Sequence, residues 1–178
     1  MEEDAYMELE GAEYVKAADS FRSKFHFHPS YYSEEWPSIR EPKPSFTWSL
    51  LEIMNDPIEE SMEGVKVSRL QSMIEQGISV CTPPGGWVYS IDWYHEAIRF
   101  QPRSVGGSGQ RRWPGSIFPD GDYYIYVSED LSFGTFAHPW EKTLCIFGGE
   151  LISLVYEGVT AIVGSPVRRD GHHIVDAE

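Results

Sequence analysis

The stretch GDYYIYVSEDLSFGTFAHPWEKTLCIFG, Gly121 to Gly148, decides the fold. Asp122 to Ser128 is dense in aromatic and branched residues, as a strand requires. Glu129-Asp130 supplies a turn, Ser132 to Ala137 the next strand, and Thr143 to Phe147 a third, closed by Gly148-Gly149. Strands this close, joined by short turns, pair antiparallel. Pro139 cannot donate to a ladder, so His138-Pro139-Trp140-Glu141 must sit at a strand end or corner.

Upstream, WVYSIDWYHEAIRF (Trp87 to Phe100) reads as extended chain. Trp87, Tyr89, Ile91 and Trp93 share one face; Val88, Ser90, Asp92 and Tyr94 share the other. An unbroken strand then places Glu96, Ile98 and Phe100 with Asp92, and His95 with Trp93; a bulge near Trp93–Tyr94 changes that assignment. Between the two blocks, residues 101–115 are glycine-rich and basic, a flexible surface loop. GGSGQRR lacks the Gly-Lys-Ser/Thr ending of a phosphate loop.

Working back, Phe21 to His28 alternates apolar and polar residues and reads as a half-exposed strand ended by Pro29. Its two histidines, His26 and His28, lack a third ligand. The four prolines of residues 29–44 predict an extended, ladder-poor connection. Ser45 to Ile53 is a short strand whose end can turn helical. Asp56-Pro57-Ile58-Glu59 is a helix start, with Asp56 as cap and Pro57 at the first turn. Gly64 is expected to break that helix. A second helix with the stripe Val67, Leu70, Ile74 is expected to stop at Gly77. Downstream, Glu150 to Glu157 fits helix or strand, and Val159 to Val163 reads as extended. Asp170-Gly171 is a two-residue hairpin signal.

At 178 residues the chain is expected to be one domain, residues 1–178. Residues 1–20 read as a frayed acidic arm or a short helix. That segment holds Glu2, Glu3, Asp4, Glu8, Glu10, Glu13 and Asp19 against Lys16, so it supplies −6 of the formal −14. Such a surface repels phosphates, so no nucleic acid is expected as partner. No apolar run is long enough to span a bilayer, and the acidic N-terminus has no signal-peptide character, so no membrane association and a cytoplasmic location are expected. Cys81 and Cys145 lie in apolar surroundings and read as reduced, inert thiols.

The segments IDWYHEAIRFQP, PDGDYYIYVSEDLSFGTFAHPWEKTLCIFGGELI and VRRDG resemble, in that order, a bacterial family known only as a domain of unknown function. The resemblance rests on Asp92, Trp93, His95, Arg99, Phe100 and Pro102, then Gly121 to Tyr124, Gly134, His138 to Glu141, Cys145 and Gly148. It covers roughly the second half of the chain, and less distinctly FHFHPS and PSFTWSL in the first. It implies a bacterial origin and one intact domain, and brings no reaction. The loop from Gly106 to Arg112 looks longer than the family's.

The candidate chemistry gathers in these two blocks. His138 and Glu141, three residues apart beside Trp140, can act as acid and base, with Asp92 or His95 as the second group. The structural alternative makes Trp140 an anchor, His138 a donor to a carbonyl, and Glu141 the partner of Arg99 or Lys142. Trp93, Trp140, Tyr124 and Arg99 are the candidate ligand-binding residues. A metal would draw on His95, His138, Glu141, Asp92, His26 or His28, but no spacing matches a metal signature, so none is expected. No nucleotide fingerprint and no Gly-x-Ser-x-Gly elbow is present, so no cofactor is expected either.

The expected fold is α+β, a curved antiparallel sheet built mainly from residues 86–163 with helices packed on one face. The expected function is small-molecule binding, extended to cofactor-independent acid–base chemistry (proton transfer, cyclisation or hydrolysis) in a bacterial biosynthetic pathway. The alternative is an acidic interaction module, such as an immunity or antitoxin-like partner of a basic protein. The sequence leaves open whether the chain is an enzyme.

Overall fold

A computed structural model describes residues 5–54, 62–93 and 95–175. Nine strands form one sheet that is antiparallel throughout: β1 (Tyr6–Glu8), β2 (Ser45–Ser49), β3 (Val88–Asp92), β4 (Glu96–Phe100), β5 (Tyr124–Ser128), β6 (Gly134–His138), β7 (Thr143–Phe147), β8 (Arg168–Arg169) and β9 (His172–His173). Their spatial order is β1-β4-β3-β5-β6-β7-β2-β8-β9, and the sheet does not close. Among the described residues four α-helices accompany it: α1 (Gly11–Phe25), α2 (Leu51–Met54), α3 (Met62–Cys81) and α4 (Gly149–Val163). The α+β class and the antiparallel sheet hold as expected.

Both faces of the sheet are covered. On one, Leu70, Ile74 and Ile78 of α3 and Leu151, Val155 and Val159 of α4 bury against Val88, Phe100, Tyr126, Ala137, Leu144 and Ile146. On the other, Ala17, Ala18, Phe21 and Phe25 of α1, with Phe27 and Ile39, bury against Ile91, Ile125, Phe136, Cys145 and Phe147. The strict alternation along β5, β6 and β7 makes two cores possible, since each strand sends consecutive side chains to opposite faces. The expectation of helices on one face is thus met by α3, joined by α4, while α1 covers the other face as well.

The parity read from Trp87 to Phe100 survives, although the chain folds into a hairpin there. Val88 pairs with Phe100, Ser90 with Ile98 and Asp92 with Glu96. Directly opposed residues share a face, so the even positions stay together across the turn.

Other expectations are corrected. Phe21 to His28 is no strand: Phe21 and Phe25 are one helical turn apart on α1, and His26 ends the helix in the left-handed region (φ 51°). Phe27 then folds back, its N–H donating to the Arg22 carbonyl at 3.0 Å. An i, i+4 pair satisfies both periods over so short a run. Residues 5–20 are not a frayed arm: β1 adds to the edge strand β4, and the helix alternative holds from Gly11. Gly64 and Gly77 do not stop α3. A Cβ at Gly77 would lie 2.8 Å from Leu151 Cδ1 and Val155 Cγ1, so this glycine lets α4 approach. Residues 159–163 are helical because Val159 continues the buried stripe of Leu151 and Val155, which overrides branched-residue preference. The loop after β4 is anchored: Trp113 packs on Phe100 (5.1 Å) and Tyr126 (5.7 Å), and Tyr126 Oη donates to the Pro114 carbonyl at 2.6 Å. Its tip, Gly106 to Arg112, is exposed. The expected helix start at Asp56 to Glu59 lies outside the described residues. Among those described, no helix is long and apolar enough to cross a membrane.

Candidate functional site

His138 ends β6 opposite Thr143 of β7, so Pro139 to Lys142 form the turn between them. The side chain of His138 is fully buried. Its Nδ1 accepts the Glu141 backbone N–H at 3.0 Å, so the ring proton sits on Nε2, which donates to Ser38 Oγ at 3.0 Å. Ser38 Oγ lies 3.1 Å from Tyr123 Oη, which donates to the Ser30 carbonyl and accepts the Ser30 N–H, each at 3.0 Å. This closed chain ties the proline-rich connection onto the sheet. Burial first, then the nearby Arg168 charge, push the His138 pKa down to about 4, against an opposing pull from Glu141. The ring is neutral at pH 7.

Glu141 is the second half of the corner, and its partner is neither Arg99 nor Lys142. Arg168 of β8 reaches it with both terminal nitrogens, Nη2 donating to Oε2 at 3.0 Å, and Thr143 Oγ1 donates to Oε2 at 2.7 Å. Arg168 also donates through Nε to Glu41 Oε1 at 2.9 Å, where Thr47 Oγ1 adds a bond at 2.8 Å. Two carboxylates and one guanidinium therefore form a buried triad of net charge −1. Burial by itself would raise the Glu141 pKa, but the bonds and charge of Arg168 outweigh it and hold the carboxyl below its usual range. Glu41 Oε2 is buried without a hydrogen-bond partner among the described residues.

Asp92 and His95 lie at the same end of the sheet but apart from this corner. Register puts Asp92 on the α3–α4 face and His138 on the α1 face. His95 Nδ1 lies 3.1 Å from Asp92 Oδ1 and 3.3 Å from Asp122 Oδ2. The hydrogen bond and charge of Asp92 raise the His95 pKa. These three residues offer ligand atoms within 4.8 Å of one another, a candidate place for a cation. The geometry is equally that of one protonated ring N–H shared by two carboxylates. The four acid–base candidates thus form two groups rather than one site.

The ligand-binding candidates disperse likewise. Trp93 is buried at 4.5 Å from Phe27, with the Arg22 guanidinium over its ring. Arg99 binds Glu129 with two donors (3.1 and 2.8 Å) and stacks on Trp87 at 4.0 Å. Tyr124 is half-buried beside Asp92. Trp140 is the exposed member, its ring 5.5 Å from Tyr123.

The concavity that touches the triad lies elsewhere. A cleft of about 530 Å³ opens between the end of α1, residues 37–43 and the β8–β9 hairpin. Phe25, Pro37, Ile39 and Pro42 line it, with Lys24, Arg40, Lys43, His172, Asp170 and Glu41. Its walls are fixed: Arg40 N–H donates to the Phe25 carbonyl at 2.7 Å, Asp170 Oδ1 accepts the Ser45 N–H at 3.0 Å, and Arg168 holds Glu41. Asp170 (φ 52°) and Gly171 (φ 81°) both have the positive φ of a type I′ turn, as the Asp-Gly signal predicts. Sequence reasoning missed Glu41 and Arg168. The one available signal was the Arg-Arg pair itself, since adjacent strand residues face opposite ways and one must point inward.

Comparison with known proteins found one family match, to a family described as a protein of unknown function (DUF2716), over residues 8–152. The match takes in most of the first half of the chain and the two longer segments of the resemblance, and ends before VRRDG at residues 167–171. An uncharacterised protein of Bacillus subtilis (strain 168), YxiI, is 30% identical over 90 residues, which cover 50% of this chain and 56% of that protein. No solved structure matches.

Proposed function

We propose, for a chain that belongs to the DUF2716 family of proteins of unknown function, a small-molecule-binding role centred on the cleft between α1, residues 37–43 and the β8–β9 hairpin. The observation that carries it is the cleft itself: about 530 Å³, within the usual range of ligand sites, with apolar walls and a few polar groups on pinned backbone. The buried triad holds Glu41 and Arg168, and so the two strand-side walls, in one arrangement. This pre-organisation lowers the ordering cost of binding.

The geometry supports binding more than turnover at the His-Pro-Trp-Glu corner. Both ring nitrogens of His138 have partners inside the protein, and Glu141 is engaged on both oxygens. The test is a ligand screen followed by amide shift mapping in solution. Hits should perturb Lys24, Ile39, Gly171 and His172 together. Hits that map only to other surfaces count against the reading.

A second reading, an acidic interaction module, has one observation in its favour. Tyr31 and Tyr32 are exposed, their rings tilted against each other with centroids 4.2 Å apart, next to Glu34 and Glu35. Exposed aromatics beside carboxylates suit a basic partner. Association with such a partner should weaken as salt rises and be lost on Tyr31→Ala with Tyr32→Ala; salt-independent association would oppose it.

A further inference from the structure

The chain carries 28 acidic and 14 basic Lys and Arg residues, so each cation has a surplus of carboxylates to choose from. The partly or fully buried arginines use it: Arg99 pairs with Glu129, and Arg168 with Glu41 and Glu141. Most of the other Lys and Arg residues have no carboxylate partner among the described residues, and Lys24, Arg40 and Lys43 are among these. All three line one cleft. Two carboxylates share the same cleft: Glu41 accepts from Arg168 and Thr47 through Oε1, and Asp170 accepts the Ser45 amide through Oδ1.

The contrast with the other clefts is informative. The cleft beside Trp87 is lined by Glu129, Asp130 and Glu150 with no Lys or Arg. The one beneath α1 balances Glu13 and Glu129 against Lys16 and Arg99. In a chain of −14, the lining of this cleft therefore sets three Lys and Arg residues against two carboxylates, a positive balance that neither of those two clefts has. Three segments far apart in sequence build it: Lys24 comes from the last turn of α1, Arg40 and Lys43 from the connection to β2, and His172 from β9.

We infer that the ligand of this cleft is a small molecule bearing an anionic group, a carboxylate or a phosphate. Lys24, Arg40 and Lys43 bind the anion through charge-assisted hydrogen bonds, and its apolar part rests on Phe25, Ile39 and Pro42. The acidic exterior then disfavours polyanions such as nucleic acid, while a compact anion fits within the cleft. This inference rests on the cleft being the ligand site.

The experiment titrates the full chain with inorganic phosphate and, separately, with succinate, reading amide shifts and affinity. Neutral glucose and cationic putrescine serve as controls. The anions should shift Lys24, Ile39, Gly171 and His172. Affinity should fall roughly tenfold on Lys24→Gln with Lys43→Gln. It should also fall as salt rises from about 20 mM to about 0.3 M. Both lysines are exposed, so the denaturation midpoint of the double variant should match the parent and separate a binding defect from a folding one. A stronger response to phosphate or to succinate identifies the headgroup. If glucose occupies the cleft as well as the anions do, and the double variant binds unchanged, the anion inference fails while the cleft reading stands. If no probe shifts the cleft, both are overturned.

Discussion

Replacing Arg168 by Met would leave the Glu41 and Glu141 carboxylates facing each other's surroundings without a counter-charge. In the native protein Arg168 is 4% exposed in its side chain and Glu41 is 0% exposed. Removing one partner of a buried ion pair costs about 3–5 kcal/mol, because the orphaned charge keeps its desolvation penalty. For a chain of this size that is a fall in Tm of roughly 6–20 °C, at roughly 2–4 °C per kcal/mol. The loss must depend on pH. With Arg168 present, Glu141 titrates below its ordinary value of 4.5, so its stabilisation is present above the unfolded pKa and is lost as pH falls through the folded one. Without Arg168, burial, the largest influence, is opposed mainly by the Thr143 hydrogen bond, and the folded pKa rises. The ionised carboxylate then penalises the fold at neutral pH, and the penalty fades as pH falls through the raised value. Urea unfolding at pH 7 and at about pH 5 reads both effects. Adding Glu41→Gln and Glu141→Gln to the variant should recover part of the loss at pH 7. A loss below about 1 kcal/mol, or a gap between parent and variant that widens on acidification, would refute the reasoning.

Three further outcomes are expected. The His138 ring, held neutral by burial, should stay uncharged until about pH 4 in an NMR titration. Parent stability should then fall between the ordinary value of 6.5 and about 4, by up to about 3 kcal/mol, a slope that His138→Gln flattens; a folded-state ring titrating near 6.5 would sink this. Gly134→Ala should cost about 3 kcal/mol, since its Cβ would meet the Tyr126 carbonyl across the β5–β6 ladder, and a loss under about 1 kcal/mol by chemical unfolding would show that the ladder yields. Burial, and then Glu150, push the Cys81 thiol up to about 11, and burial pushes Cys145 higher still. A thiol reagent at pH 8 should therefore label Cys81 slowly and Cys145 only on unfolding; fast labelling of both in the native state would contradict the burial argument.

Much of the sheet was legible from local pattern. Asp122 to Phe147 announces β5, β6 and β7 through branched and aromatic runs broken by turn residues, and the corner at Pro139 follows from one missing donor. The faces of residues 87–100 could also be read, because period-two parity persists across a hairpin whose opposed residues stay in register. The helices were harder. Phe21, Phe25 and Phe27 fit two periods, and Gly77 looks like a stop unless α4 is known to lie against it. The triad was harder again. Glu41, Glu141 and Arg168 are separated by long stretches of chain, and no spacing rule connects them.

Sequence alone therefore determined the α+β class, the antiparallel pairing, and the place of His138 at a strand end, because these follow from interactions between near neighbours. Only the tertiary structure decided that α1 closes the second face of the sheet, that Arg168 rather than Arg99 balances Glu141, and that Lys24, Arg40 and Lys43 line one cleft. Those outcomes depend on which distant segments share one buried, low-dielectric place, where a charge must find a partner or bear the full cost of desolvation.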